Sequence, residues 1–249
     1  MNAKHELYLK EMGLGPRWFL RAAAVAGDAP SLTLVETETP AVAERAPQAQ
    51  AECPASSDSR CAAIMGMAWP ELQAGIGACV ACPLHAGRIQ AVPGVGDKNA
   101  DWLFVGEAPG ADEDTQGEPF VGQAGKLLDN MLASIGLKRG NNVYIANVLK
   151  CRPPDNRNPM PEEVAQCEPY LQRQVELIKP KLIVALGKFA AQTLLREDTA
   201  IARLRGQIHR YQGIPLIVTY HPAYLLRSLP EKAKAWQDLC LAVKTMQGL

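Results

Sequence analysis

The 249-residue chain has no surplus of either charge: 26 Lys and Arg stand against 26 Asp and Glu. A protein that grips nucleic acid regardless of sequence usually carries a basic excess, because phosphate contacts draw on cations. Dividing the chain at Trp69 barely recovers one. Residues 1–69 hold 6 basic and 8 acidic groups, and residues 70–249 hold 20 and 18. Global charge therefore neither favours nor excludes nucleic acid, and any phosphate contacts must come from a local patch. Also missing is an apolar run near the ~18 residues that a membrane helix needs. The amino end, Met1 to Lys10, carries Lys4, His5, Glu6 and Lys10, with no apolar h-region and no small-residue cleavage site, unlike an export signal. A cytoplasmic, reducing setting is expected. There the seven cysteines read as metal ligands, catalytic groups or core thiols and not as disulfides.

Aromatic residues are absent between Gly27 and Ser59, where Ala, Pro, Glu, Thr and Gln dominate and Pro30, Pro40, Pro47 and Pro54 recur. That stretch cannot bury enough apolar surface to offset the cost of ordering, which predicts a flexible linker. Before it, Met1 to about Ala26 suits one or two short helices broken at Pro16. The reading is an N-terminal extension over residues 1–68, suited to an arm for an unidentified protein partner, followed by a folded domain over 69–249.

That domain is patterned. Strand-like apolar runs lie at Trp102–Val105, Val143–Ala146, Leu182–Leu186 and Leu216–Thr219. Amphipathic helical runs lie between and after them, at Gly125–Ile135, Pro161–Ile178, Phe189–Leu195 and Glu231–Met246. The alternation predicts an α/β fold, a three-layer α/β/α sandwich around a central, mostly parallel four-stranded sheet. Ligands of such sheets bind beyond the carboxyl ends of the strands. Three strand ends lead into Gly106-Glu107-Ala108-Pro109-Gly110, Asn147-Val148-Leu149-Lys150-Cys151 and Tyr220-His221-Pro222, which would face one crevice.

Cys79 and Cys82 form a Cys-x2-Cys pair; Cys151 follows after 68 intervening residues and Cys167 after 15 more. Spacing alone leaves a four-cysteine site and core thiols both open. Structural zinc favours two close pairs, whereas four thiolates also suit an iron–sulfur cluster. Cys53, Cys61 and Cys240 fall outside this set and read as unliganded. The loop from Gly106 has six glycines or prolines in seventeen positions, so its backbone can approach a ligand closely. It is neither a dinucleotide fingerprint nor a phosphate-binding loop. Within it, Phe120 is either a ring on which a base stacks, worth ~1–3 kcal/mol, or a plain anchor. Glu107 either orients water or is a solvated carboxylate. Asn147, taken alone, reads as a turn residue.

The Gly106–Gly125 stretch, Asn147 to Pro154 with Asn156-Arg157, and His221-Pro222-Ala223-Tyr224-Leu225-Leu226-Arg227 closely resemble the family 4, thermophile-type uracil-DNA glycosylases, over about Cys79 to Leu239. The resemblance implies a base-excision repair enzyme that hydrolyses the N-glycosidic bond of uracil in DNA, acting as a monomer. It implies a 4Fe–4S cluster on Cys79, Cys82, Cys151 and Cys167. It gives Glu107 and Asn156 the water, Phe120 the stacking ring, Asn147 the reading of uracil, Glu113 and Ala108 places in the uracil pocket, and His221 the departing base. Position 108 holds alanine where related glycosylases carry a catalytic aspartate. Catalysis would then lean on stabilising the leaving group more than on a strong base.

The chemistry suits these residue types. Uracil must leave the stack, and one carboxamide can accept from N3–H and donate to O4, while cytosine presents the opposite pair. Bond cleavage places negative charge on uracil, so a donor such as His221 stabilises the transition state more than the ground state. Lys150, Arg152, Arg157 and Arg227 are the candidate contacts to the DNA backbone, with Arg203, Arg205 and Arg210 behind them. Tyr224, Leu225 and Leu226 either wedge into the gap left by the base or pack on the core. The cluster would brace the Asn147–Arg157 loop structurally, without redox work. A second class fits the same residues, a non-catalytic iron–sulfur protein that binds DNA or a polymerase.

Overall fold

The computed structural model describes residues 58–249, so the expected amino-terminal helices, most of the linker and Cys53 lie outside the described residues. Its strands are β1 (Val95–Gly96), β2 (Trp102–Gly106), β3 (Val143–Asn147), β4 (Leu182–Leu186), β5 (Ile208–Tyr211) and β6 (Ile214–Thr219). They form one sheet in the order β1-β3-β2-β4-β6-β5. The four strands expected from the sequence are the central, mutually parallel ones. The count of four is corrected to six, because antiparallel β1 and β5 close the two edges.

Strands β2, β3 and β4 are buried at all five positions, as a parallel sheet covered on both faces requires. Alternate side chains feed opposite layers. Leu103, Val105, Ile183, Ala185, Leu216 and Val218 pack on one face. There they meet α5 (Pro161–Ile178) and α6 (Lys188–Leu195) through Leu171, Val175 and Leu194. On the other face Phe104, Ile145, Val184 and Ile217 meet α4 (Gln123–Ser134) and α9 (Lys232–Gln247) through Leu128, Leu132 and Ala242. Helix α5 opens as its sequence predicts: Pro161 fills the first turn and the Glu163 carboxylate accepts the Met160 N–H at 2.9 Å.

Two helices precede the sheet, α1 (Asp58–Gly66) and α2 (Trp69–Gly77). Ile64 of α1 and Leu72 and Ile76 of α2 share a buried cluster with Tyr170 of α5. Helix α1 thus packs on the domain ahead of Trp69, the start expected from the sequence. The remaining helices are short: α3 (Ala111–Gln116), α7 (Ile201–Leu204) and α8 (Pro222–Arg227). Among the described residues no helix is long and apolar enough to cross a membrane.

Candidate active site

The central strands end level, with Gly106 paired to Asn147 and Leu186 to Thr219. Strand β2 has β3 on one side and β4 on the other, so the chain winds outward in both directions and leaves a crevice at that switch point. Gly106 is the tightest spot in it. A Cβ there would stand 2.6 Å from Phe120 Cζ and closer still to Asn147 Oδ1. Glycine therefore lets both side chains meet over the end of β2. Asn147 is 2% exposed, and its Oδ1 has no hydrogen-bond partner among the described residues. A buried acceptor left unpaired costs ~1–3 kcal/mol unless something fills it.

Phe120 is buried and holds φ at 56°, a left-handed conformation that a residue with a side chain adopts only when its surroundings impose it. Its ring stacks on that of His221, with centroids 5.4 Å apart and planes 29° from parallel. His221 caps α8, its Nδ1 accepting the Ala223 N–H at 3.1 Å. That bond assigns the neutral ring's proton to Nε2. Burial, helped by the Arg227 guanidinium and opposed by Glu113, holds His221 down at about 4. Gly187, at φ 94° just past β4, makes room for the histidine, since a Cβ there would lie 2.8 Å from His221 Cβ.

Burial alone pushes the Glu107 carboxyl up to about 7. Its carbonyl accepts the Leu149 N–H at 3.0 Å, while that of Gly106 accepts the Val148 N–H at 3.0 Å, tying the first two crevice loops together. Ala108 is half-buried against the sheet core. Glu113 is committed to backbone: its carboxylate accepts from the amides of Gly110, Val121 and Gly122 at 3.0–3.2 Å. Asn156 is exposed, and its Oδ1 accepts from Arg152 Nε at 2.8 Å.

The basic residues sort differently from the sequence reading. Lys150 is corrected from a backbone contact to a core residue, 1% exposed. Its ammonium donates to the Asn147 carbonyl and to Gln174 Oε1, both at 2.7 Å. Arg157 is engaged by the buried Glu163 carboxylate through both terminal nitrogens. Arg205 is bound to buried Asp238 at 2.7 Å. Arg227 remains exposed, Arg152 half-buried, and Lys188, just past Gly187, exposed at the same edge. In α8, Leu225 is fully buried, whereas Tyr224 and Leu226 are exposed.

Behind the crevice, Cys79, Cys82, Cys151 and Cys167 line a single cavity with Ile76, Arg88 and Tyr170. Three N–H groups are aimed at sulfur. Arg88 Nη1 reaches Cys151 at 3.0 Å, the Lys150 amide Cys167 at 3.3 Å, and Arg60 Nη2 Cys79 at 3.5 Å. Burial raises the Cys82 and Cys151 thiols and takes Cys167 to about 12. Among the described residues no three His, Cys, Asp or Glu side chains gather around a point where they could hold a metal ion. Cys61 lies on α1, and Cys240 is exposed on α9.

Sequence reasoning did not single out Gly187, Lys188, Arg60, Arg88 or Arg139. The first pair carries a usable signal, a glycine ending a buried apolar run. The arginines act through contacts distant in sequence.

The level ends of the four parallel strands thus gather a buried carboxamide, a stacked Phe–His pair and a glycine-rich loop at one crevice. The model of the uracil DNA glycosylase superfamily matches residues 93–240. Curated relatives called type-4 uracil-DNA glycosylases narrow this further. One from Archaeoglobus fulgidus is 54% identical over 59% of this chain and 78% of its own length. One from Pyrobaculum aerophilum is 44% identical over 66% and 87%, and one from Thermotoga maritima 47% over 60% and 79%. The chain belongs to the type-4 uracil-DNA glycosylases of that superfamily.

Proposed function

We propose that this chain hydrolyses the N-glycosidic bond of uracil flipped out of DNA, leaving an abasic site for base-excision repair. The observation that carries the reading is the buried, unpaired Oδ1 of Asn147 beside the Phe120 ring. A flipped uracil offers N3–H to that oxygen and O4 to the amide nitrogen of the same side chain. Cytosine would set acceptor against acceptor and donor against donor, leaving buried groups unpaired. Phe120 takes the face of the base. His221, neutral with its proton on Nε2, donates to the oxygen on which negative charge grows as the bond breaks. Glu107, with Asn156, orients the water that adds to the sugar. Glu113 and Ala108 serve the pocket by shaping its loop.

Arg152, Lys188 and Arg227 meet DNA phosphates, and Tyr224 and Leu226 enter the duplex beside the extruded base. Cys79, Cys82, Cys151 and Cys167 would hold a 4Fe–4S cluster. Their fit rests on an all-thiol donor set around one cavity with three N–H groups aimed at sulfur, the contacts that stabilise buried thiolate ligands. Through these four side chains the cluster would supply a structural cross-link between the segments before β1, after β3 and in α5. Lys150 carries that bracing to Asn147 through the asparagine carbonyl.

An oligonucleotide with a single uracil, incubated with the protein and then alkali, should be cut at that position. Replacing His221 by Ala should slow cleavage while leaving DNA affinity largely intact. An uncut strand would sink the reading and leave the non-catalytic alternative. Metal and sulfide analysis tests the cofactor separately, with about four iron atoms and four sulfides per chain expected and zinc alone refuting it.

A further inference from the structure

Phe120 owes its position to more than its own packing. The peptide unit between Phe120 and Val121 is gripped at both ends. Its carbonyl accepts from Arg139 Nη2 at 2.8 Å, and its N–H donates to Glu113 Oε1 at 3.0 Å. A second nitrogen of the same guanidinium, Nη1, donates to the Pro119 carbonyl at 2.8 Å, and Nε is anchored on Asp129 of α4 at 2.9 Å. All three arginine nitrogens are thus used, two of them on consecutive carbonyls of the loop that carries the ring. The Phe120 carbonyl lies so close to Gly125 that no Cβ fits there. Helix α4 therefore seats the carbonyl from one side and Arg139 caps it from the other. A planar, rigid fork suits that task better than an ammonium would. The carbonyl's orientation in turn fixes a left-handed Phe120 that a free chain would leave.

We propose that Arg139, in the turn between α4 and β3, is a positioning residue of the uracil pocket that holds Phe120 against the base through the two loop carbonyls. The inference rests on the stacking role proposed for Phe120. Arg139 itself does not touch the base.

The test uses the full chain and single-turnover excision from a uracil-containing single strand. Arg139→Ala should lower the rate constant by about tenfold or more, as expected when a reacting partner is misplaced by a fraction of an ångström. Affinity for the same strand without uracil should stay within about twofold, so that the loss sits in turnover. Adding guanidinium ion should restore part of the rate to Arg139→Ala and none to Phe120→Ala. The double variant should be no slower than Phe120→Ala, because the arginine acts through the ring. Arg139→Lys, which keeps a cation but loses the fork, should fall between wild type and Arg139→Ala, and it carries the test if the alanine variant does not fold. A wild-type rate in Arg139→Ala with a slow Phe120→Ala would overturn the inference alone. Losses that multiply in the double variant would do the same. A wild-type rate in Phe120→Ala would remove the stacking reading, and the inference with it.

Discussion

Two titratable side chains at the crevice are displaced from their ordinary protonation by burial, and the displacements suit different tasks. His221 is held at about 4, so in its proposed role it would meet substrate as a neutral imidazole whose Nε2–H donates without carrying charge into the site. A neutral donor costs less to bury than an imidazolium and still strengthens its bond as charge develops on the leaving base. Glu107, raised to about 7 by burial, changes form within the working range. Below that value it is protonated and holds water poorly; above it the carboxylate accepts from water. The single-turnover rate should therefore rise about tenfold per pH unit on the acid side and level off above a midpoint of about 7. Glu107→Gln should be slow and flat across the same range. A limb that persists in that variant would assign the titration to another group.

At the scale of elements, the crevice is assembled by loops that each follow a buried strand, and α8 illustrates how one short helix divides its labour. Leu225 is fully buried and Leu226 is 42% exposed. Leu225→Ala should cost ~2–5 kcal/mol of stability, read from urea unfolding, because it opens a cavity in the core. Leu226→Ala should leave stability nearly unchanged and slow excision from duplex more than from single strands, since a wedge matters only where the base must be unstacked. Equal slowing on both substrates would argue against the wedge. The sequence motif names both leucines but not which is which, because that depends on the rotation of α8 against Leu127 and Met131. Elsewhere legibility follows the same physics. Strands β2, β3 and β4 show as unbroken apolar runs because both faces are covered. The edge strands do not: β1 is two residues long, and β5 leaves Ile208 and Arg210 exposed. Phe120, Asn147 and His221 stand in motifs that announce them. Arg139 and Arg60 stand in none, and only the folded chain brings them to the Phe120 loop and to Cys79.

For the molecule as a whole, a net charge of zero becomes informative once the basic side chains have been placed. Seven cations are DNA candidates by sequence, yet burial and pairing withdraw three of them. Lys150 is spent inside on Asn147 and Gln174, Arg157 on Glu163 and Arg205 on Asp238. Arg203 is exposed in α7, ahead of β5, and Arg210 donates to the Gly213 carbonyl in the β5–β6 turn. Arg152, Lys188 and Arg227 are the set proposed to meet phosphate. Three phosphate contacts on duplex DNA release few counterions, so the logarithm of the binding constant should fall against the logarithm of salt with a slope of about −3. Lys188→Ala and Arg227→Ala should each make the slope shallower by about one, whereas Arg157→Ala should leave it unchanged. A wild-type slope of about −6 would mean that the further arginines also reach the backbone, and that the Arg157 and Arg205 pairs open when DNA binds. A shallow slope would fit an enzyme that holds DNA lightly along its backbone and draws its selectivity from the roles proposed for Asn147, Phe120 and His221.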